Sequence, residues 1–491
     1  MSIFRSSRRR LVSPFAGAVL ACVVLLGACS KTEPPPPPKV APAPAAAAPA
    51  PDTGIQRLAA EAYVFAFPLV VTDVAKEIAT AKTPINTFGH TRSLRDASST
   101  DTPDPNADVL FSTAWLDLSK EPLVLSVPDT RGRYYVLPMT DAWTNVFSSP
   151  GKRETGTEKR DFVLVGPRFT GKVPDELVAI KAPTETVLIV GRTETTGKAD
   201  YAAAAKVQDE YLLTPLSQYG RKPAKGGRPA PKVPVAAGTP AAAVDAKTPP
   251  SEQVAKMDAQ TFFTRVALLL PSNPPAKEDA AMVEKMKALG IAAGQPFDAT
   301  KPDPARAQAI EEGIKTARAA IVTSSKGSLG ELKNGWTIHR DLGRYGTNYG
   351  LRAVRALLGL GANAPEDAVL AATRFDGGGK QLNGANRYVM HFNPGQTPAT
   401  EAFWALSVYD DKRHFVPNSL ERYAIGTHDR PRANPDGSVD IHIASVNPGG
   451  DRESNWLPAP KGDFNVMLRT YWPKPEMLDP KWAPPPIQLV N

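Results

Sequence analysis

Val466–Trp472 reads VMLRTYW and Val439–Ile443 reads VDIHI. Both alternate with a period of two, which sends successive side chains to opposite faces of an extended chain. No helix keeps a single stripe at that spacing. Each is predicted to be a half-buried strand with one wet face. Working outward, Tyr388, Met390 and Phe392 alternate with Val389 and His391, and Phe403–Tyr409 is apolar and aromatic. Residues 376–491 therefore read as a C-terminal β module.

The same texture appears earlier. Leu123–Val127, Tyr134–Met139, Phe162–Val165 and Val187–Val190 are short β-like runs separated by turn chemistry such as Pro-Asp-Thr-Arg-Gly. Before them, Gly54–Lys82 carries a broad apolar stripe of helical spacing that Pro68 should kink or divide. Residues 55–215 thus form an N-terminal β module with a leading helix, ending in a helix-like stretch at Tyr201–Leu213. Between the modules, 251–375 reads as a helical connector with helices at Glu252–Leu270, Ala280–Leu289, Ala305–Ser324 and Tyr349–Leu360. The fold class is α+β, mainly β: two antiparallel β-sandwich-like modules joined by helices.

Residues 1–28 hold Arg5, Arg8, Arg9 and Arg10, no acid, and an apolar run from Leu11 to Leu26. That is a signal peptide, too short and too poorly flanked for a stable membrane span. Leu26-Gly27-Ala28-Cys29 resembles a bacterial lipobox, which implies cleavage before Cys29 and attachment of fatty acyl chains such as palmitate to it. Ser30, in place of an Asp, points to the outer membrane, facing the periplasm. Ser7–Leu11 partly resembles a twin-arginine export signal, so the export route stays open. Residues 29–54 continue as a Pro/Ala-rich spacer that favours an extended polyproline conformation. Cys22 falls within the signal, so the mature chain has no thiol except the lipidated one. Internal disulfides, cysteine nucleophiles and thiolate metal sites are thereby excluded.

The formal charge of +8 includes the four signal arginines, and much of the remaining surplus lies in the loop 216–250. The folded remainder is close to neutral, so the basic balance gives no case for nucleic-acid binding. That loop, rich in Pro, Ala and Gly, is expected to be disordered.

Several segments line up with a known pair of domains. PNADVLFSTAWLDLSKEPLVLSVPDTRGRYYVLPMTDAWTNVF at Pro105–Phe147 resembles the bacterial domain of unknown function 1254. GANRYVMHF, AFWALSVYD, NWLPAP and FNVMLRTYWP, within Gly384–Pro485, resemble the companion domain 1214. GRYGTNYGLRAVRALLGLGAN lies between them, as in proteins carrying both. The resemblance implies sandwich-like folds and no established activity. Phe111 stands where members more often place tyrosine.

Chemical motifs are sparse. None of the six histidines forms a metalloprotease helix, and no Gly-x-Ser-x-Gly elbow occurs. Gly191–Lys198 has one residue too many between its glycines for a phosphate loop, and Ala199 follows where Ser or Thr should stand. No metal and no cofactor is expected. What remains is a set of polar residues at strand ends: Asn106, Asp108, Arg133, Asp141 and Asn145 in the first module, and Asn383, Asn386, Arg387, Asn455 and Trp456 in the second. Asp108 and Asp141 are the pair suited to acid–base work. The others suit recognition of a small polar or saccharide ligand, or the tying of loops by hydrogen bonds. Trp115, Trp143, Trp404 and Trp472 are expected in the core. Three functions follow: an envelope lipoprotein binding such a ligand, a periplasmic hydrolase or lyase, or a structural envelope protein.

Overall fold

The chain is seen in a computed structural model that describes residues 53–221, 245–301, 303–327 and 329–490. The signal peptide, Cys29 and nearly all of the 29–54 spacer lie outside the described residues, as do positions 222–244 of the basic loop.

The first module is a sandwich of two sheets. One centres on Thr186–Glu194, which pairs antiparallel with Val109–Asp117 on one side and with Met139–Asp141 and Tyr135–Val136 on the other. The second runs Leu212–Pro215, Leu123–Val127, Arg160–Val165, Val178–Lys181, the last pair parallel. Leu123, Leu125 and Val127 alternate into the core with Leu116, Phe162, Leu164 and Ile189. Val124 points the other way, into a small cluster with Val163 and Leu177. This module has covered apolar surface on both faces of its second sheet.

The second module repeats the plan with a six-stranded sheet, in which Phe464–Pro473 lies between Ala368–Thr373 and Thr400–Asp410. Its four-stranded partner sheet is built on Arg387–Phe392 and Val439–Ala444. Val439, Ile441 and Ile443 are buried while Asp440 and His442 are half-exposed, so this strand has the wet face its sequence predicts. Phe464–Pro473 does not. Val466 and Leu468 enter the sandwich core, yet Arg469 and Tyr471 are buried on the opposite face, at 6% and 2% exposure. The first module covers them: Tyr471 and Phe403 pack against Val109, Tyr134 and Val136. Alternation marks a strand, but it cannot tell water from a second domain on the far side.

The leading helix and the connector helices share one apolar cluster, the helical layer. Residues Thr53–Thr80 make a helix that continues through Pro68. It is long and apolar enough to cross a bilayer, but 72% of its most apolar window is buried inside the fold. It packs on Ala305–Ser325 and Tyr349–Leu358. The first of these contacts is so close that a Cβ on Gly313 would stand 2.3 Å from the Gln56 carbonyl oxygen. The stretch Glu252–Leu270 divides into Pro250–Ala255 and Ala259–Leu269, because Asp258 caps a new helix through the Thr261 amide at 2.7 Å. Helix Tyr201–Asp209 stops early, and Leu212–Pro215 becomes an edge strand. Within 251–375, Trp336–His339 and Ala368–Thr373 are strands of the second module's sheet.

Candidate functional site

At the seam between modules, the chain enters strand Val109–Asp117 through a turn held by Asn106. Its side-chain oxygen accepts from the Asp108 and Val109 amides at 2.7 and 3.0 Å. Its Nδ2 donates to the Tyr471 hydroxyl at 2.6 Å, fastening the turn to the second module. Asp108 is left at the head of the strand, 5% exposed, with Oδ2 lacking any hydrogen-bond partner. Its backbone carbonyl accepts from the Thr195 amide, as the strand register requires.

Arg469 lies behind this turn. It donates to the Tyr409 hydroxyl at 2.5 Å, to Ser407 at 3.3 Å and to the Asp104 carbonyl at 2.8 Å. Tyr409 in turn donates to the Pro105 carbonyl at 2.9 Å. Burial pushes the Asp108 carboxyl up to about 6, against the downward pull of Arg469 and His428. His428 stacks near Phe403, with ring centroids 4.8 Å apart. Its Nε2 stands 3.3 Å from Glu194 Oε1 but off the line of a hydrogen bond.

Asp108 and His428 both line a cavity of about 480 Å³ between the modules. The first module contributes Thr195, Thr196, Lys198 and Tyr201; the second contributes Trp404 and Tyr423, among others. An exposed ion pair, Lys198 to Glu421 at 2.5 Å, joins the two modules at this cavity. A separate groove of about 290 Å³ beside Phe111 and Trp115 offers one titratable side chain, His90.

Asp141 is elsewhere. Val109 pairs with Glu194 and Asp141 with Val187, so the two aspartates flank opposite ends of the same central strand. Seven residues separate those partners, roughly 23 Å at the usual strand rise. The structure does not bring the two carboxylates together. Asp141 Oδ1 accepts from the Trp143 and Asn145 amides, each at 2.9 Å, and Asn145 Nδ2 donates to Oδ2 at 3.2 Å. Burial raises this carboxyl also, to about 6. Trp143 carries the turn into the helical layer, where Arg352 sits among Phe65, Trp143 and Tyr349.

The remaining sequence candidates are scattered. Arg133 makes a two-pronged pair with Asp200 at 2.6 and 2.7 Å. Asn383 donates to Asp463 and Asn386 to Tyr388. Asn455 ties Arg432 to Asp440 by three backbone hydrogen bonds, and Trp456 donates to the Ala444 carbonyl. Arg387 is exposed at a strand end. Of the sequence-predicted residues, Asp108 lines the cavity and Asn106 holds it in place. Sequence reading passed over Arg469, His428 and the cavity face of Trp404. The signal was present in VMLRTYW, where an arginine and a tyrosine share one face of an aromatic strand. Trp115, Trp143 and Trp404 are buried as expected, while Trp472 is half-buried at the seam. Among the described residues, no three His, Cys, Asp or Glu side chains gather as metal ligands.

Residues 85–215 match the family model described as Protein of unknown function (DUF1254), and residues 367–475 match Protein of unknown function (DUF1214). No curated protein matches the chain. The crystal structure of the VPA0106 protein from Vibrio parahaemolyticus is similar at 22% identity and a TM-score of 0.66, over 89% of this chain and all of that one. A putative uncharacterized protein from Burkholderia cenocepacia is similar at 11% identity and a TM-score of 0.41, over 89% of this chain and 94% of that one.

Proposed function

We propose that this chain, which carries the paired DUF1254 and DUF1214 domains, is a cell-envelope lipoprotein that binds a small polar ligand in the seam cavity. One observation carries the reading: Asp108 is a buried carboxyl whose Oδ2 has no protein partner, at the wall of a cavity large enough for a small molecule. Buried polar groups are normally satisfied, and one left open beside a cavity is suited to a ligand. Trp404, Tyr201 and Tyr423 add aromatic surface, which suits sugar rings as well as other small molecules. The lipobox-like Leu26–Cys29 supports attachment to the membrane through Cys29. Two experiments test this. A thermal-shift screen of envelope metabolites should yield a compound that stabilises the parent protein but not Thr196→Trp, which fills the exposed rim of the cavity. Cys29→Ser should move the protein out of the detergent phase; retention there sinks the anchor.

A second reading has its own observation. Asp108, pushed up to about 6 by burial, lines the same cavity as His428, a placement suited to acid–base work on a bound substrate. A hydrolase or lyase would lose turnover but keep binding in Asp108→Asn. A parent with no turnover on the bound compound favours the binder.

A further inference from the structure

We infer that the ligand of the seam cavity carries a protonated amine, held by the carboxylate of Asp108. This rests on the binding role proposed above and adds the chemical class. The argument is a count of which charges are already engaged. Arg95, at the cavity wall, is paired with Asp101 at 2.9 Å. Lys198 is paired with Glu421. Arg422 donates to the carbonyls of Glu453, Ser454 and Trp456. Behind the wall, Arg469 is engaged by Tyr409, Ser407 and the Asp104 carbonyl. Each of these cations already has protein acceptors.

The acids differ. Asp96 accepts from the Ser98 amide and hydroxyl, and Asp429 from the Gly426 amide. Asp108 Oδ2 has nothing. A carboxylate ligand would therefore meet Asp108 with Arg95, Lys198 and Arg469 committed elsewhere, leaving Arg422, which donates to carbonyls through Nη1 alone, and His428, whose Nε2 has no hydrogen-bond partner. A neutral polyol could donate a hydrogen bond but would leave the buried charge uncompensated. An ammonium group does both, because a buried charge is tolerated when it is paired and hydrogen-bonded. The aromatic side chains of Trp404, Tyr201 and Tyr423 also suit a cation.

The charged and titratable groups around Asp108 are Arg469, His428 and Asp429, with Tyr471 across the seam. With the carboxyl near 6, about a tenth of it is ionised at pH 5 and most of it at pH 7. An amine should bind about tenfold more weakly at pH 5. An acid should show the reverse.

The test is isothermal titration of the full chain with two matched triplets: glucosamine, gluconate and glucose; cadaverine, glutarate and pentanediol. The amines should bind best, weaken about tenfold at pH 5, and lose at least about tenfold in both Asp108→Asn and Thr196→Trp. If an acid or a polyol binds best and Asp108→Asn still weakens it, the amine is wrong and the cavity reading stands. If no probe binds, or neither substitution changes affinity, both fall. Circular dichroism and a cooperative melt on each variant separate lost binding from lost folding.

Discussion

Asp108 and Asp141 are the same residue type in the same module, flank one central strand, and are both pushed up to about 6 by burial. They have opposite characters. Asp141 closes a turn, with two amides and an amide side chain donating to it, and the turn anchors Trp143 in the helical layer. Asp108 has its turn closed for it by Asn106, and its own side chain receives no donor at Oδ2. A perturbed carboxyl thus has two sources here, and hydrogen-bond closure separates them where the titration does not. One aspartate closes a turn, and the other keeps an oxygen that no protein group satisfies.

The largest expected effect lies on the architectural side. Arg352 is 1% exposed, its guanidinium lies about 5 Å from three aromatic rings, and it feels the charges of Asp141 and Asp279. Arg352→Ala opens a void among those rings and removes a positive charge that both buried acids feel. A loss of roughly 3–5 kcal/mol in urea unfolding is expected. A loss below ~1 kcal/mol would mean that the Asp141 corner is not the anchor described.

Truncating the aspartates tests the comparison directly. Asp141→Ala orphans the Trp143 and Asn145 donors and should cost about 2–3 kcal/mol. Asp108→Ala removes a buried charge with no donor at Oδ2, so at pH 7 the fold should be unchanged or firmer. Equal losses in the two variants would erase the distinction.

The lettering of the chain makes half of this contrast visible. Strand periodicity in VDIHI and VMLRTYW locates the second sandwich, and apolar 3.6-residue spacing locates the leading helix, because both patterns follow from local geometry. Asn106 and Asp108 stand out as polar residues just ahead of an apolar strand. What the letters hide is the far side of each strand. Arg469 and Tyr471 look wet until the first module covers them. The cavity combines residues from opposite ends of the chain, such as Thr195 and His428, which no local spacing relates. Arg387 and Asn383 were equally plausible as letters, and only their surroundings set them apart from Asp108.

Acid titration sharpens the comparison in another way. Both carboxyls sit above the ordinary value of 3.8, so the folded state holds more protons than the unfolded state between about pH 4 and 6. The contribution of these two groups should therefore decline as pH rises through that window and is fully lost above about 6, while His90, His339 and His442, held below the ordinary 6.5 chiefly by burial, contribute in the opposite sense. Each group contributes a slope of at most about 1.4 kcal/mol per pH unit. Asp108→Asn and Asp141→Asn should each remove one such contribution, seen between about pH 4 and 6 as a slope of stability against pH shifted in the positive direction relative to the parent. In Asp141→Asn the amide oxygen can still accept from both backbone amides, so its loss at pH 7 should be smaller than that of Asp141→Ala. If either Asn variant leaves the slope unchanged, that carboxyl is not raised.

The smallest effect belongs to a short ion pair at the rim of the seam. Lys198 and Glu421 meet at 2.5 Å across the seam, but their side chains are 79% and 67% exposed. Water and salt screen such a pair, and ordering two long side chains offsets the attraction. The modules are instead held by what is buried: Tyr471 on Asn106, Arg469 on the Asp104 carbonyl, and Phe403 against Tyr134. Lys198→Ala should leave the unfolding midpoint unmoved at both low and high salt. Asn106→Ala, which orphans the Asp108 and Val109 amides and frees Tyr471, should lower it measurably. A Lys198→Ala midpoint that falls as far as that of Asn106→Ala would place the strength of the seam at its rim, and the buried cluster around Asp108 would lose its claim to hold the modules together.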